Sequence, residues 1–420
     1  MKILVITSLY PPQHLGGYEL RCRQMVRALR ARGHVVEVLT SDHQHDPAAS
    51  EEAPPPERSL RLNLAPGYPP VNIWRLRQIE FHNHRRLEAA LDRFQPELVF
   101  VWSLGGLSKS LIFSLARRGG PVVYDVSDHW LARTHRSAVW LNWWNRPSNA
   151  LRTNLLRTAW TLTGRRARWD RLVPTNPLRH ARFPRLYFCS AALREFTVRA
   201  GFDVGHGAVI HCPVDVRRFY GEPHPPDHRV RRWLYVGRLV ADKGVLTVLH
   251  ALREFQGRFP GELTICGRGE PDYEEQLHRF VRNHGLPVKF TQATPDAMPE
   301  IYRQHDALIF PSEWEEPFAL TPLEAMAAGR PVIGTLTGGS KELLHHGENA
   351  LTYPAGDAEE LAIRIRELAA NPALAHRLAV AAQAGMARFD EPVIVDQIEQ
   401  YLLETVKTWH PEPPPPYYAP

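Results

Sequence analysis

The sequence predicts an α/β protein of two doubly wound, Rossmann-like domains that face each other across a deep interdomain cleft. Three observations predict it. The chain has 420 residues, more than one core usually holds. Short, continuously apolar segments alternate with amphipathic ones, the pattern of parallel strands covered on both faces by helices. That alternation halts at "GEPHPPDH", Gly221–His228, and then starts again.

Taken in order, "KILVIT" reads as a first buried strand that runs into the loop "SLYPPQHLGG". An amphipathic helix follows from about Tyr18 to Ala31 and stops at Gly33. "HVVEVLT" is the next strand, so the chain opens with a β-loop-α-β unit. "SDHQHDPAASEEAPPPERS" reads as a polar, Pro-rich surface loop. A helix near Ile79–Phe94 leads to the strands in "PELVFVWS" and "GPVVYDVSD", and "RLYFCSAALREFTVRAGF" supplies a last strand and helix. In the second set, strands read at "RWLYVGRLV", "ELTICGRG", "VKFTQA", "DALIFPS", "RPVIGT" and "ALTYPA", with helices near Val245–Phe255 and Tyr273–Asn283. A helix near Pro392–Lys407 and the Pro-rich tail "PEPPPPYYAP" close the chain. The expected boundaries are 1–215 for the first domain, 216–228 for a linker and 229–390 for the second domain. Residues 391–420 form a helix returning towards the first domain, plus the tail.

Composition narrows the class. Hydrophobic content of 44% and charged content of 23% are ordinary for a globular protein. Cys22, Cys189, Cys212 and Cys266 lie far apart, so a disulfide framework or cysteine zinc site is not expected and a reducing, cytoplasmic setting fits. The apolar run at the N-terminus is too short for a signal sequence, and no window has 18 uncharged apolar residues, so any membrane contact is peripheral, at the inner face. The net charge of +6 is local: residues 131–185 carry twelve arginines against one acid, Asp170.

The informative loops follow strands. Gly16-Gly17 opens the first helix, where backbone N–H groups can meet an anion, although a simple tight turn explains the pair as well. "YVGRLVADKG" sets Arg238 and Lys243 just past a strand, a planar fork and a point charge that suit a diphosphate. "EEPFALTPLEAMAAGRPV" puts Glu316 and Glu324 eight positions apart around an uncharged stretch, with the N–H groups of Phe318, Ala319 and Leu320 between them. The structural alternative is a capping box, Thr321 at the N-cap, Pro322 first in the helix and Glu324 reaching back; it leaves Glu316 unexplained. "GTLTGGSKELL" is a further Gly-rich loop leading into a helix that carries Glu342. Cations and amides for a diphosphate, with carboxylates for hydroxyls, are the mixture that a sugar nucleotide needs.

These segments, in this order, resemble the retaining GT-B-fold glycosyltransferases of family 4. "MKILVITSLYPPQHLGGYEL" is similar to the family's first strand and Gly-Gly loop, "VGRLVADKG" to its donor diphosphate loop, and "PSEWEEPFALTPLEAMAAGRPVIGT" to its E-x7-E motif. The resemblance implies an acceptor-side first domain and a nucleotide-sugar-binding second domain. It implies that Gly16, Gly17, Arg238 and Lys243 hold the donor diphosphate, that Phe318, Ala319, Leu320 and Glu324 hold donor sugar and nucleotide, and that Glu316 contacts the transferred sugar. It also implies metal-independent transfer of a hexose from a nucleoside-diphosphate sugar to a glycan, lipid-linked or small-molecule acceptor, and no cofactor. Members commonly carry a His-Asp pair where this chain has Ser127-Asp128, so Asp128 and His129 are the catalytic candidates on that side. That departure motivates the alternative of a non-catalytic sugar-nucleotide-binding or scaffold protein on the same fold.

The arginine-rich segment 131–185 also holds Trp140, Trp143, Trp144, Trp160 and Trp169. One reading is an interfacial surface with Trp in the headgroup zone and Arg on phosphates. The other is a helical arm with Trp packed inward and Arg in water. Nucleic-acid binding is not expected, because the charge sits in one arm rather than on the cleft loops.

Overall fold

A computed structural model describes residues 1–14, 16–44, 53–63, 72–133 and 137–410. The chain divides into two compact units, Met1–Phe188 with Arg194–Val209 and the chain from Gln397, and Cys189–Leu193 with Ile210–Asp396.

The first unit is built on a parallel sheet of β1 (Lys2–Ile6), β2 (Val35–Ser41), β3 (Glu57–Leu60), β4 (Leu98–Val101), β5 (Val122–Val126), β6 (Leu186–Phe188) and β7 (Ala208–Val209). Their order is β3-β2-β1-β4-β5-β6-β7. Ile3 to Ile6 are at most 1% exposed, as a strand covered on both faces requires. Helix Gly17–Ala31 packs through Cys22, Met25, Val26 and Leu29, an i, i+3, i+4, i+7 face. β3 lies in the stretch read from sequence as a surface loop, and its short, polar-faced pairing to β2 is what an edge strand shows. Helix Ile73–Phe94 starts six residues before the expected Ile79, because Asn72 caps it by accepting from the Arg75 N–H at 2.9 Å. The same helix buries Glu80, Asn83 and His84, satisfied by Asn63, Ser108, Ser110 and Ser114.

The second unit's parallel sheet comprises β8 (Arg232–Val236), β9 (Glu262–Cys266), β10 (Val288–Thr291), β11 (Ala307–Phe310), β12 (Val332–Thr335) and β13 (Leu351–Tyr353). Its order is β10-β9-β8-β11-β12-β13, so the direction of winding reverses between β8 and β11. Gly221–His228 is held within this unit. Arg330 Nη2 donates to the Glu222 carbonyl at 2.6 Å, His224 N to that of Gly329 at 2.9 Å, and Gln383 Nε2 to that of Gly221 at 2.9 Å. The last helix, Glu391–Lys407, belongs to the second unit through Asp396 and to the first from Gln397. The four cysteines are buried and none of them forms a disulfide. Among the described residues no helix is long and apolar enough to cross a membrane; the tail from residue 411 lies outside them.

Candidate active site

In an open α/β sheet, ligands bind beyond the carboxyl ends of the strands where the winding reverses. In the second sheet that point lies between the loops after β8 and β11, which carry Arg238, Lys243 and Glu316.

The β8 loop turns through Gly237, a 3₁₀ turn at Ala241–Lys243 and Gly244 before helix Val245–Arg253. Gly244 has φ +69°, and a Cβ there would meet the Pro311 carbonyl oxygen at 2.0 Å, so only glycine lets the two loops touch. Asp242 O accepts from the Glu313 N–H at 2.9 Å, and Tyr235 Oη donates to Arg238 O at 2.9 Å. Lys243 Nζ thereby reaches Glu316 Oε1 at 2.5 Å. Ser312 Oγ donates to the same oxygen at 2.5 Å. Glu316 is 7% exposed. Behind it, Gly339 N donates to Glu316 O at 2.7 Å, and a Cβ on Gly338 would meet that oxygen at 2.2 Å. The glycine pair of "GTLTGGSKELL" therefore seats the backbone of Glu316, and Glu342 turns away to the Ala192 N–H and His211. Glu313, also in the acidic run, accepts from Thr247 Oγ1 at 2.6 Å.

Beyond Glu316 the structure corrects the capping box. Helix Leu320–Ala327 has Ala319 as its N-cap, with no side-chain cap, so Thr321 and Pro322 lie inside its first turn. Proline is tolerated there because the first four helical N–H groups have no intrahelical acceptor. Glu324 falls in the second turn, out of capping reach, and accepts instead from Tyr302 Oη at 2.7 Å. Burial pushes its carboxyl up to about 7, against the Tyr302 hydrogen bond and the charge of Arg218. Among the described residues, the N–H groups of Phe318, Ala319 and Leu320 have no protein acceptor. They stand at the positive end of the helix, where an anion is favoured.

Sequence reasoning missed a cavity of about 490 Å³ at the ends of β8, β9 and β10, lined by Arg238, Arg268, Gln292 and Thr294 among others. Arg268 donates through Nε to Gln292 Oε1 at 3.0 Å. The signal was present: "CGRG" follows a strand as "VGRL" does.

The other candidates lie in the first unit. Gly16 caps helix Gly17–Ala31, and its N–H donates to Glu19 Oε2 at 3.1 Å, so the anion position at this helix end has a carboxylate beside it. Asp128 Oδ1 accepts from the Trp130 N–H at 2.5 Å, and burial pushes its carboxyl up to about 7. His129 is 8% exposed and packs edge-on against Phe196 at 4.8 Å. Two neighbours escaped sequence reasoning. Asp125, fully buried, accepts from Tyr18 at 2.8 Å and Tyr187 at 2.6 Å. Lys109, 1% exposed, donates to the Leu104 carbonyl, and burial pushes its ammonium down to about 7 while Asp128 opposes the shift.

Two family models match, "Glycosyltransferase Family 4" over residues 15–218 and "Glycosyl transferases group 1" over 217–384. A glycogen synthase of Mycobacterium tuberculosis is 27% identical over 421 residues, spanning 96% of this chain and 94% of that one. Sucrose-phosphate synthase from Thermosynechococcus elongatus superposes with a TM-score of 0.71 at 21% identity, covering 96% of this chain and 98% of that chain. Anabaena Alr3699/HepE, solved with UDP-glucose, gives 0.67 at 20% identity, covering 96% and 100%. The chain belongs to the GT-B glycosyltransferases of group 1 and family 4, and is a sugar-transferring enzyme.

Proposed function

We propose that the chain is a retaining, metal-independent hexosyltransferase that moves a hexose from a nucleoside-diphosphate sugar to a glycan, lipid-linked or small-molecule acceptor. The observation that carries this reading is the meeting of Lys243 and Glu316 at the switch point, 2.5 Å apart. A diphosphate brings more negative charge than one carboxylate, so Lys243 turns from Glu316 to the phosphates, with Arg238 beside it. Glu316, still held by Ser312, then accepts from hydroxyls of the sugar. The N–H groups of Phe318, Ala319 and Leu320 take the phosphate charge that grows as the sugar–oxygen bond breaks. Glu324 accepts from ribose hydroxyls, and the cavity by Arg238 and Arg268 takes the base.

Retention follows when the departing phosphate oxygen accepts the acceptor's proton on the face it leaves from. Two cations and three amides balance the charge a divalent ion would otherwise balance. On the acceptor side, Asp128, with its carboxyl near 7, is suited to orient a hydroxyl. Binding of UDP-glucose by the Anabaena protein supports a nucleoside-diphosphate sugar as donor.

The test is incubation with UDP-, GDP- and ADP-sugars and an acceptor panel, reading released nucleoside diphosphate. Proton NMR of the product reports the anomeric configuration, and a chelator arm reports metal dependence. Release without metal and a retained configuration are expected. An inverted product, or activity lost to chelation and restored by a divalent ion, would overturn the reading.

A further inference from the structure

We propose that the helical arm 139–171 docks this protein on an anionic lipid bilayer, lying in its surface rather than crossing it. The arm comprises helices Val139–Asn145, Leu151–Leu162 and Arg165–Asp170. Its tryptophans are not the lipid-facing groups. Trp140, Trp144 and Trp160 are at most 5% exposed, and rings 143, 144, 160 and 169 pack together, with Trp160 also meeting Trp74 at 5.3 Å.

What the arm turns to solvent is leucine. Leu151, Leu155 and Leu162 are 73%, 60% and 82% exposed. At 3.6 residues per turn they fall within an arc of about 40°, and Trp160 lies about 180° from Leu151. The helix is thus apolar on both faces, one of them packed and the other an uncovered leucine stripe, the geometry of a helix lying in a membrane interface.

Charge names the occupant. Arg152 on the same helix, and Arg165, Arg168 and Arg171 on and just after the next one, are exposed, and among the described residues none has a carboxylate partner. The one acid, Asp170, is engaged by Thr175 and Arg117. In the same unit a cavity of about 710 Å³ is lined by Arg133, Arg146, Arg179 and Arg199 and by no carboxylate. Exposed leucines on an arm whose exposed Arg152, Arg165, Arg168 and Arg171 lack carboxylate partners match acyl chains below anionic headgroups, and each arginine near such a surface adds about fivefold in affinity. The inference stands apart from the donor chemistry, since no residue in it belongs to the candidate active site.

The experiment is flotation of the full chain with phosphatidylcholine vesicles, with and without phosphatidylglycerol, at low and high salt. Expected is binding that needs phosphatidylglycerol and weakens with salt. Combined Leu151→Ser, Leu155→Ser and Leu162→Ser should lower it about 1,000-fold. Combined Arg152→Ser, Arg165→Ser, Arg168→Ser and Arg171→Ser should lower it several-hundredfold and flatten the salt dependence. Circular dichroism checks each fold, and Leu162→Ser alone, expected to cost about tenfold, replaces a triple variant that misfolds. Binding indifferent to phosphatidylglycerol, or unchanged by the leucine variants, would overturn the proposal. So would a dimer that the leucine variants dissociate, or tighter retention on duplex RNA than on vesicles. Nucleoside diphosphate release with a soluble acceptor stays at the parent rate in the variants, which separates this outcome from the donor reading.

Discussion

Glu324→Gln should make the protein more stable at alkaline pH while removing the carboxylate proposed to hold the donor's ribose. Burial raises the Glu324 carboxyl from 4.5 to about 7, so between those values the folded chain holds a proton that the unfolded chain has released. Stability therefore falls as pH rises through that window and levels off above it. Integrated, the charged carboxylate costs about 1 kcal/mol at pH 5 and about 3 kcal/mol at pH 8. Glutamine keeps an oxygen to accept from Tyr302 and carries no charge, so it escapes that cost. Glu80 and Asp128 are also raised to about 7 and titrate in the same window in both proteins, so the difference between variant and parent isolates Glu324. The assay is urea denaturation at pH 5 and pH 8, followed by tryptophan fluorescence, with calorimetric titration of nucleoside diphosphate. The variant's advantage should grow by about 2 kcal/mol from pH 5 to pH 8, and its nucleotide affinity should drop about tenfold or more. An advantage that stays flat with pH, or a variant less stable than the parent at pH 8, would refute the assignment of a desolvated carboxylate.

Glu316→Ala should cut transfer by at least about 100-fold with the fold intact by circular dichroism, and transfer at the parent rate would remove Glu316 from the mechanism. Lys243→Ala leaves the carboxylate of Glu316, 7% exposed, with Ser312 as its one remaining hydrogen-bond partner among the described residues, so it should cost about 1–3 kcal/mol in denaturation. The same variant should weaken nucleoside diphosphate binding far more than nucleoside binding; equal losses count against the phosphate role. Gly244→Ala places a methyl on the Pro311 carbonyl at φ +69° and should lower stability by about 2 kcal/mol or more while shifting the Lys243 loop. Denaturation and nucleotide titration read both effects, and a neutral Gly244→Ala would show that the loops need not touch.

The strands after which chemistry sits were legible because a parallel strand buried on both faces is a run of apolar residues with few competing readings. Ile3–Ile6, Leu234–Val236 and Leu308–Phe310 announce themselves, and the residues that follow them are then candidates by position. That logic put Lys243 and Glu316 in adjacent loops, and the structure bonds them. It could not say how Glu324 is held. Thr321-Pro322-Leu323-Glu324 satisfies a local rule for a helix start, yet Pro322 fits anywhere in a first turn, so local sequence leaves the start free to slide. Tyr302, which engages Glu324, lies 22 residues away on another helix, and no spacing rule reaches it.

The arm shows the same limit from the other side. Read locally, five tryptophans among arginines fit an inward-packed arm as well as an interfacial surface, because tryptophan is amphipathic and its destination depends on what stands opposite. Trp74 and Phe81 stand opposite, on helix Ile73–Phe94, contacting Trp160 at 5.3 Å and Trp169 at 6.3 Å. Once that packing takes the tryptophans, the helical period of Leu151–Leu162 has only one face left for its remaining apolar side chains. Leu151, Leu155 and Leu162 lie outward because the inward face is already filled, and a stripe of that kind persists without aggregation only when something covers it. The charge around it decides what does: a bilayer bearing anionic headgroups compensates the arginines and solvates the leucines at once, whereas a second copy of this arm would bring its arginines against these.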